Sequence, residues 1–536
     1  MENTKGRAWH QWYGQRTFRE IPNLALYDLL EESARLYPEQ PCIIFEDKDW
    51  SYLTVKQQAE KLAGGLNSLG LKKGDRIGLM LENDPLYIIS YYAAQRLGLI
   101  VVQINPRYTV RELLQIVADS SCQAIIYGET ADRVVNEAKL IYPFKRALCT
   151  HSQSPKGDET IHTLMERGIS PEGVEKINPM EDIAVIQYTG GTTGKMKGAM
   201  LTHRNVVANV IQSREMYGEM MVEGQEVVLT ATPLYHVYAM TSGMNLSVYL
   251  GAAILLYKRF DTKSILEGIE RYQPTFFPGV PKMYMALTQY PGIERYDLTS
   301  LKMCTSGSAP IPIEILNRFE RLTGTSIGEG FGLSEASPTT HRNPPNGIRK
   351  IGSVGIPLPG TDCMIVDDNN QPLAENQVGE LLIRGPQVMK GYWNNEMETN
   401  RALKGGWLYT GDLAMQDRDG YFYIVGRKKE MIIVGGFNIY PQEVEDVLYG
   451  HPDIQEAAVA GIPAADAEEI VKAFIVPKEG ITIDLEEVKG YCYSKLTPYK
   501  VPSAFEVRSE LPRNTVGKLL KRTLIKEEID KRLEKE

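Results

Sequence analysis

From about residue 24 onward, apolar positions recur at helical spacing in stretches such as LYDLLEESARLYP and alternate with short apolar runs such as RIGLML and CQAIIYG. This alternation predicts layered α/β structure built on a mostly parallel sheet. Several apolar runs end directly in segments that carry Gly, Ser, Thr or Pro: DIAVIQY in TGGTTGK, TFFPGV in PKMY, LKMCT in SGSAP, and TSIGEG in FGLSEASP. Open α/β sheets bind ligands at the carboxyl ends of their strands, so these junctions are where chemistry is to be sought.

Beyond about residue 350 the texture changes. CMIVDDNNQPL, VGELLIRG and GYFYIVG are short β-type runs separated by turn formers, which predicts a β-rich subdomain over about 350–425. The charged, glycine-rich segment GRKKEMIIVGGFNIYP then marks a boundary, after which helix and strand patterns alternate again. The predicted fold is α/β: a large N-terminal domain, 1–425, of layered α/β subdomains plus the β-rich one; a hinge at 426–430; and a small mobile α+β C-terminal domain, 431–536. The final stretch places Leu520, Leu524, Ile525, Ile529 and Leu533 at the spacing of an ordinary surface helix. The run from Leu246 to Tyr257 is too short for a membrane span and is interrupted by Gly251.

Composition narrows the function. Apolar residues make up 43% of the 536 and charged residues 24%, close to ordinary globular values, so a compact multidomain enzyme-sized chain is expected. The formal net charge of -9 argues against a nucleic-acid partner and means that an anionic ligand needs a locally positive site. The six cysteines form no Cys-x-x-Cys pair, which fits neither a disulfide framework nor a zinc site. The polar, aromatic N-terminus lacks the apolar segment of a secretory signal, so a cytoplasmic protein is expected.

The segment from Tyr188 to Gly198, YTGGTTGKMKG, carries four glycines, three threonines and two lysines after a strand. Such a loop lets backbone N–H groups approach phosphate oxygens while hydroxyls and an ammonium add donors. It is not the mononucleotide loop of ordinary NTPases, because Gly194-Lys195 is followed by Met196 and Thr189 stands where that loop has its first glycine.

This segment resembles the signature of the adenylate-forming (ANL) superfamily, and further stretches follow in that family's order. They are PLYHVYAM at 233–240, SGSAPI at 306–311, EGFGLSEASP at 329–338, GWLYTGDLA at 406–414, GRKKEMIIVGGFNIYPQEVE at 426–445 and LPRNTVGKLLKR at 511–522. The resemblance covers nearly the whole chain and is greatest to bacterial long-chain fatty-acid–CoA ligases. It implies that a fatty acid, ATP and coenzyme A are the small-molecule partners, with Mg²⁺ on the phosphates. The implied reaction is attack of the acid on the α-phosphorus to give acyl-AMP and pyrophosphate, then transfer of the acyl group to coenzyme A.

The same resemblance assigns residues. Thr189, Gly190, Gly191, Thr192, Thr193, Gly194 and Lys197 would bind the ATP phosphates, and Ser334 the α-phosphate. Gly307, Ser308, Ala309, Glu329 and Gly330 would line the adenine slot, with Phe331 stacking where the family usually has tyrosine. Asp412 would accept the ribose hydroxyls, with Arg427 beside it. Glu335 would hold the metal, with Thr189 as second ligand. His236, Tyr235 and Tyr238 would position the acyl carboxylate. Lys518 would bridge that carboxylate and the α-phosphate, Lys429 matches the hinge position, and Gly436 would let the pantetheine arm pass.

Three positions depart from the family pattern: Gly426 for aspartate, Met196 for proline, and Phe331 for tyrosine. None removes a group on which the chemistry depends. Activation of an aryl or other acid, loading of a carrier protein, and a nucleotide-binding protein without catalysis stay open beside the ligase reading. So do monomer or homodimer, and peripheral contact with the inner face of the membrane.

Overall fold

The computed structural model describes residues 7–13, 20–151, 159–190, 196–307, 309, 311–345, 347–434, 437–463, 469–513 and 519–533. The chain divides into two compact units, Met1–Asp362 with Ile383–Leu408, and Cys363–Leu382 with Tyr409–Glu536.

The first unit is built on two large, mostly parallel sheets. One runs from Glu159–Thr160 at its edge through Arg146–Cys149, Ala124–Tyr127, Arg76–Met80, Ile100–Gln103 and Ile183–Gly190, all parallel. It then turns antiparallel at Met196–Thr202 and Gly391–Tyr392. The other has the parallel core Pro41–Phe45, Ala253–Leu256, Val227–Thr230, Phe276–Gly279, Met303–Ser306 and Ile327–Gly332, followed by antiparallel Thr339–Arg342.

Hydrophobic patterning explains the layers. The helices Leu26–Leu36, Tyr52–Ser68, Pro85–Arg96 and His203–Tyr217 share one core with inward residues of both sheets, among them Leu79, Val101, Ile43 and Ile254. The helices Val110–Ser120 and Asp132–Ala138 cover the far face of the first sheet. Thr262–Tyr272, Pro281–Thr288 and Ile313–Thr323 cover that of the second. Local sequence sets the ends: Thr202 accepts from the Asn205 N–H while the Asn205 side chain accepts from the Thr202 N–H, a reciprocal cap that starts His203–Tyr217. The apolar run from Leu246 is helical to Leu250, turns at Gly251 with φ 63°, and re-enters a sheet as Ala253–Leu256. Among the described residues no helix is long and apolar enough to cross a membrane, and all six cysteines are buried and free.

The second unit contains short β-strands, in which residues 412–416 pair antiparallel with Phe422–Arg427. Its remainder is α+β. Ile454–Pro463 and Glu469–Pro477 are antiparallel, Ala504–Val507 lies parallel to the latter, and the helices Pro441–Tyr449, Leu485–Lys495 and Lys521–Leu533 pack around them. The last of these starts one residue after Leu520, which the sequence pattern had included and which is exposed; the helix itself buries Leu524 and exposes Ile529, as expected for a surface helix.

Candidate active site

The glycine- and threonine-rich segment joins two strands of a β-hairpin, Ile183–Gly190 and Met196–Thr202, in which Thr189 lies opposite Lys197. Gly191, Thr192, Thr193 and Gly194 lie outside the described residues. The short strand Gly391–Tyr392 adds to the hairpin's edge through Met200 and Ala199, and this addition brings Glu335 close. The Met389 N–H donates to the Glu335 carbonyl at 2.8 Å, and the Tyr392 hydroxyl donates to its Oε1 at 2.8 Å. The Lys197 ammonium lies 4.9 Å from the centre of the Tyr392 ring and 2.6 Å from the Glu398 carboxylate. Hydrogen bonding from Lys197, then from Arg401, holds the Glu398 carboxyl below its ordinary range. Glu335, Tyr392, Lys197 and Glu398 therefore form one connected polar group. Tyr392 and Glu398 were not among the residues predicted from sequence, because nothing in KGYWNNEMET marks a side chain as reaching Glu335, 57 positions away.

His236 precedes a turn-rich entry into a helix whose first part, Ala239–Asn245, is wound as a π-helix, a form that recurs at functional sites. Its Nδ1 accepts the Tyr238 N–H at 3.3 Å, so the neutral ring carries its proton on Nε2. The Tyr238 hydroxyl meets Thr305 Oγ1 at 2.9 Å, and burial pushes the phenol's pKa up. Thr305 is two residues from Gly307, so the predicted acyl and adenine segments do meet. Thr241 Oγ1 donates to the Ser337 carbonyl at 2.7 Å, tying the π-helix to the short turn Ser334–Ala336 that carries Ser334 and Glu335.

Glu329, Gly330 and Phe331 lie on the strand Ile327–Gly332. The Glu329 carboxylate accepts the Gly352 N–H at 3.2 Å, and burial raises its pKa. The half-buried Phe331 ring lies 6.0 Å from that of His341. Tyr235 is half-buried and Ala309 exposed; Ser308 lies outside the described residues.

In the second unit Asp412 and Arg427 face each other across a strand pair, with Arg427 Nε 2.8 Å from Asp412 Oδ1. Asp412 is 3% exposed. Sequence placed both near one ribose; the direct ion pair between them is new. Lys429 is exposed on the turn that follows, where the N–H groups of Glu430 and Met431 both donate to the Arg427 carbonyl. Gly436 and Lys518 lie outside the described residues.

Residues 30–393 match the family described as AMP-binding enzyme, and residues 443–518 match the AMP-binding enzyme C-terminal domain. The chain belongs to the AMP-binding enzyme family. Within it, a Bacillus subtilis (strain 168) protein named long-chain-fatty-acid–CoA ligase is 42% identical, over 95% of this chain and 96% of its own length. An Escherichia coli O157:H7 protein of the same name is 36% identical, over 93% and 94%. Among solved structures, the anthranilate CoA ligase AuaEII in complex with anthranoyl-AMP matches with a TM-score of 0.88 at 25% identity, covering 95% of this chain and 98% of that one. ATP-bound MatB from Rhodopseudomonas palustris matches with a TM-score of 0.84 at 29% identity, covering 94% and 99%. The expected mixed α/β fold of a large N-terminal and a small C-terminal part is thus that of the AMP-binding enzymes.

Proposed function

We infer that this AMP-binding enzyme is an AMP-forming acid–thiol ligase: it activates a long-chain fatty acid with ATP through acyl-AMP and transfers the acyl group to coenzyme A. The observation that carries the reading is the 42% identity to a long-chain-fatty-acid–CoA ligase over 95% of the chain, both matched regions included.

In the first step a carboxylate oxygen bonds to the α-phosphorus as the bond to pyrophosphate breaks, so two anions must be held together. We assign Thr189, Gly190 and the threonines and glycines up to Gly194, with Lys197, to the phosphates, and Ser334 to the α-phosphate. Mg²⁺ commonly binds through one or two carboxylates plus substrate phosphates, and a half-buried Glu335 carboxylate oriented by the Tyr392 hydroxyl suits that role, with Thr189 assigned as second ligand. When bound there, the ion supplies charge neutralisation on the phosphates. Gly307, Ser308, Ala309, Glu329, Gly330 and Phe331 take the adenine, and Asp412, oriented by Arg427, accepts the ribose hydroxyls. Tyr235, His236 and Tyr238 position the acyl carboxylate, which is already ionised and needs no base.

Lys518 offsets the charge that builds during adenylation. In the second step the thiol sulfur bonds to the acyl carbonyl carbon, its proton departs, and AMP leaves. Lys429 serves as hinge within 426–430, between residues 1–425 and the C-terminal lid at 431–536, and Gly436 gives the pantetheine arm room. The cytoplasm is the proposed location, with peripheral membrane contact during uptake of the lipid substrate.

The test is ATP-dependent pyrophosphate release from purified protein with acetate, octanoate, palmitate and benzoate, each with and without coenzyme A. Turnover should be greatest with palmitate and sustained only with coenzyme A. A maximum with benzoate or acetate would retain the adenylation chemistry and overturn the long-chain substrate.

A further inference from the structure

Buried charges are normally paired, and among the described residues Arg342 is not. It is 3% exposed. Among the described residues its Nε and Nη1 find no hydrogen-bond acceptor, and no carboxylate forms an ion pair with it. Its guanidinium carbon lies 4.7 Å from the centre of the Tyr217 ring.

The register shows which way this side chain faces. Ile327 packs into the outer core with Leu316 and Phe319. Alternation along the strand therefore puts Gly328 and Gly330 on the opposite face. Arg342 stands directly across from Gly330 in the antiparallel pair and shares that face. Tyr217 packs there with Phe276 and Met303. Thr305, bonded to Tyr238, points the same way, because it lies two residues beyond Met303 on one strand. Between the Tyr238–Thr305 contact and the Arg342–Tyr217 contact, the sheet thus presents two glycines without side chains.

The helix His203–Tyr217 closes over this strip. Asn209 holds it by accepting the Thr339 N–H at 3.0 Å and donating to the Thr339 carbonyl at 2.7 Å. Ser213 and Tyr217 follow at four-residue steps on the same side of the helix. Both are buried, and among the described residues neither hydroxyl has a hydrogen-bond partner. A buried guanidinium whose Nε and Nη1 lack acceptors and two buried hydroxyls without partners make a donor set for an anion that none of the described residues supplies. Burial alone pushes the Arg342 pKa down to about 9, so it remains a cation at neutral pH.

We propose that Arg342, with Tyr217 and Ser213, binds a second carboxylate on the acyl substrate, so that the preferred fatty acids are dicarboxylic. The inference rests on the ligase reading and refines its substrate class. One carboxylate is adenylated near Tyr238, the chain lies over Gly328 and Gly330, and the distal carboxylate meets the guanidinium. A monocarboxylic acid of the same length would leave a methyl group against a buried cation.

The experiment compares kcat/KM for coenzyme A-dependent pyrophosphate release with acids paired by length, from hexanoic with adipic acid to palmitic with hexadecanedioic acid. Wild type, Arg342→Met and Tyr217→Phe are each measured. Loss of a hydrogen-bonded charge contact changes affinity by about tenfold or more. The wild-type enzyme should therefore favour the diacid by at least about that factor at its best chain length, and Arg342→Met should abolish or reverse the preference with the KM for ATP unchanged. Monoacids equalling or beating diacids at every length, or an Arg342→Met enzyme with the wild-type ratio, would overturn the proposal while leaving the ligase reading intact. Release with no acid of either kind would overturn both. Should Arg342→Met not fold, the wild-type ratio and its reduction in Tyr217→Phe decide.

Discussion

At the scale of single residues, the contact with most consequence is the hydroxyl of Tyr392 on Glu335. A carboxylate that is to meet a metal and phosphates needs a fixed rotamer, and one oxygen of Glu335 is held at 2.8 Å by a ring that also lies beneath Lys197. Tyr392→Phe keeps the ring and its cation contact and removes only the donor. A hydrogen bond to a charged group contributes about 1.5–3 kcal/mol, so the variant should need about ten- to a hundredfold more Mg·ATP for half-maximal rate. Titrating Mg·ATP at saturating palmitate, and palmitate at saturating Mg·ATP, tests this: the KM for palmitate should stay put. Equal rises in both, with a lowered melting temperature, would mean that Tyr392 only packs.

At the scale of elements, the turn from Ile327–Gly332 back into Thr339–Arg342 carries Phe331, Ser334 and Glu335, and its tightness depends on Gly332. A Cβ there would lie 2.4 Å from the Pro338 carbonyl oxygen and 3.1 Å from Thr339 Cα, which are backbone atoms that cannot swing aside. Overpacking of this kind costs about 1–3 kcal/mol, so Gly332→Ala should lower the melting temperature and raise the KM for ATP together. A variant with wild-type values of both would show that the turn relaxes freely. Much of this element was legible beforehand, since TSIGEG running into FGLSEASP announces a strand that ends in a polar turn. The strand leading into the phosphate segment was legible for the same reason; its antiparallel return as Met196–Thr202 was not. The strand Gly391–Tyr392 was not: two residues have no period, and only the edge left by Met196–Thr202 gives them a place. Likewise Gly251 visibly interrupts the run from Leu246 to Tyr257, but periodicity cannot show that it divides a helix from a strand. The orphaned guanidinium of Arg342 was equally hidden, since THRNP reads as polar until the register turns its arginine inward.

At the scale of the whole molecule, stability should depend on two histidines buried in the first unit. His203 Nδ1 accepts the Leu26 N–H at 3.2 Å, where helix Leu26–Leu36 starts, and it must be unprotonated to do so. Burial, opposed by Asp182 and aided by Lys73, lowers its pKa from 6.5 to about 4. Burial brings His341 down to about 3. In the unfolded chain both titrate near 6.5, so as the pH falls below that value the unfolded state takes up protons that the folded state refuses. The contribution is whole above pH 6.5 and shrinks toward pH 4 for His203, where about 3 kcal/mol has been lost. Asp446 in the second unit works the other way: burial raises its carboxyl to about 6, which favours the folded state as the pH falls. The wild-type slope therefore mixes opposite signs, and a difference between variants separates them. His203→Asn retains an acceptor for the Leu26 N–H without a titrating group. All five tryptophans lie in the first unit with His203, so their fluorescence follows its unfolding in urea. Between pH 7.5 and 5, wild type should lose stability more steeply than His203→Asn, by up to about 1.4 kcal/mol per pH unit for one refused proton. Parallel slopes would mean that His203 accepts a proton without unfolding, and that the amide it caps finds another acceptor when it does.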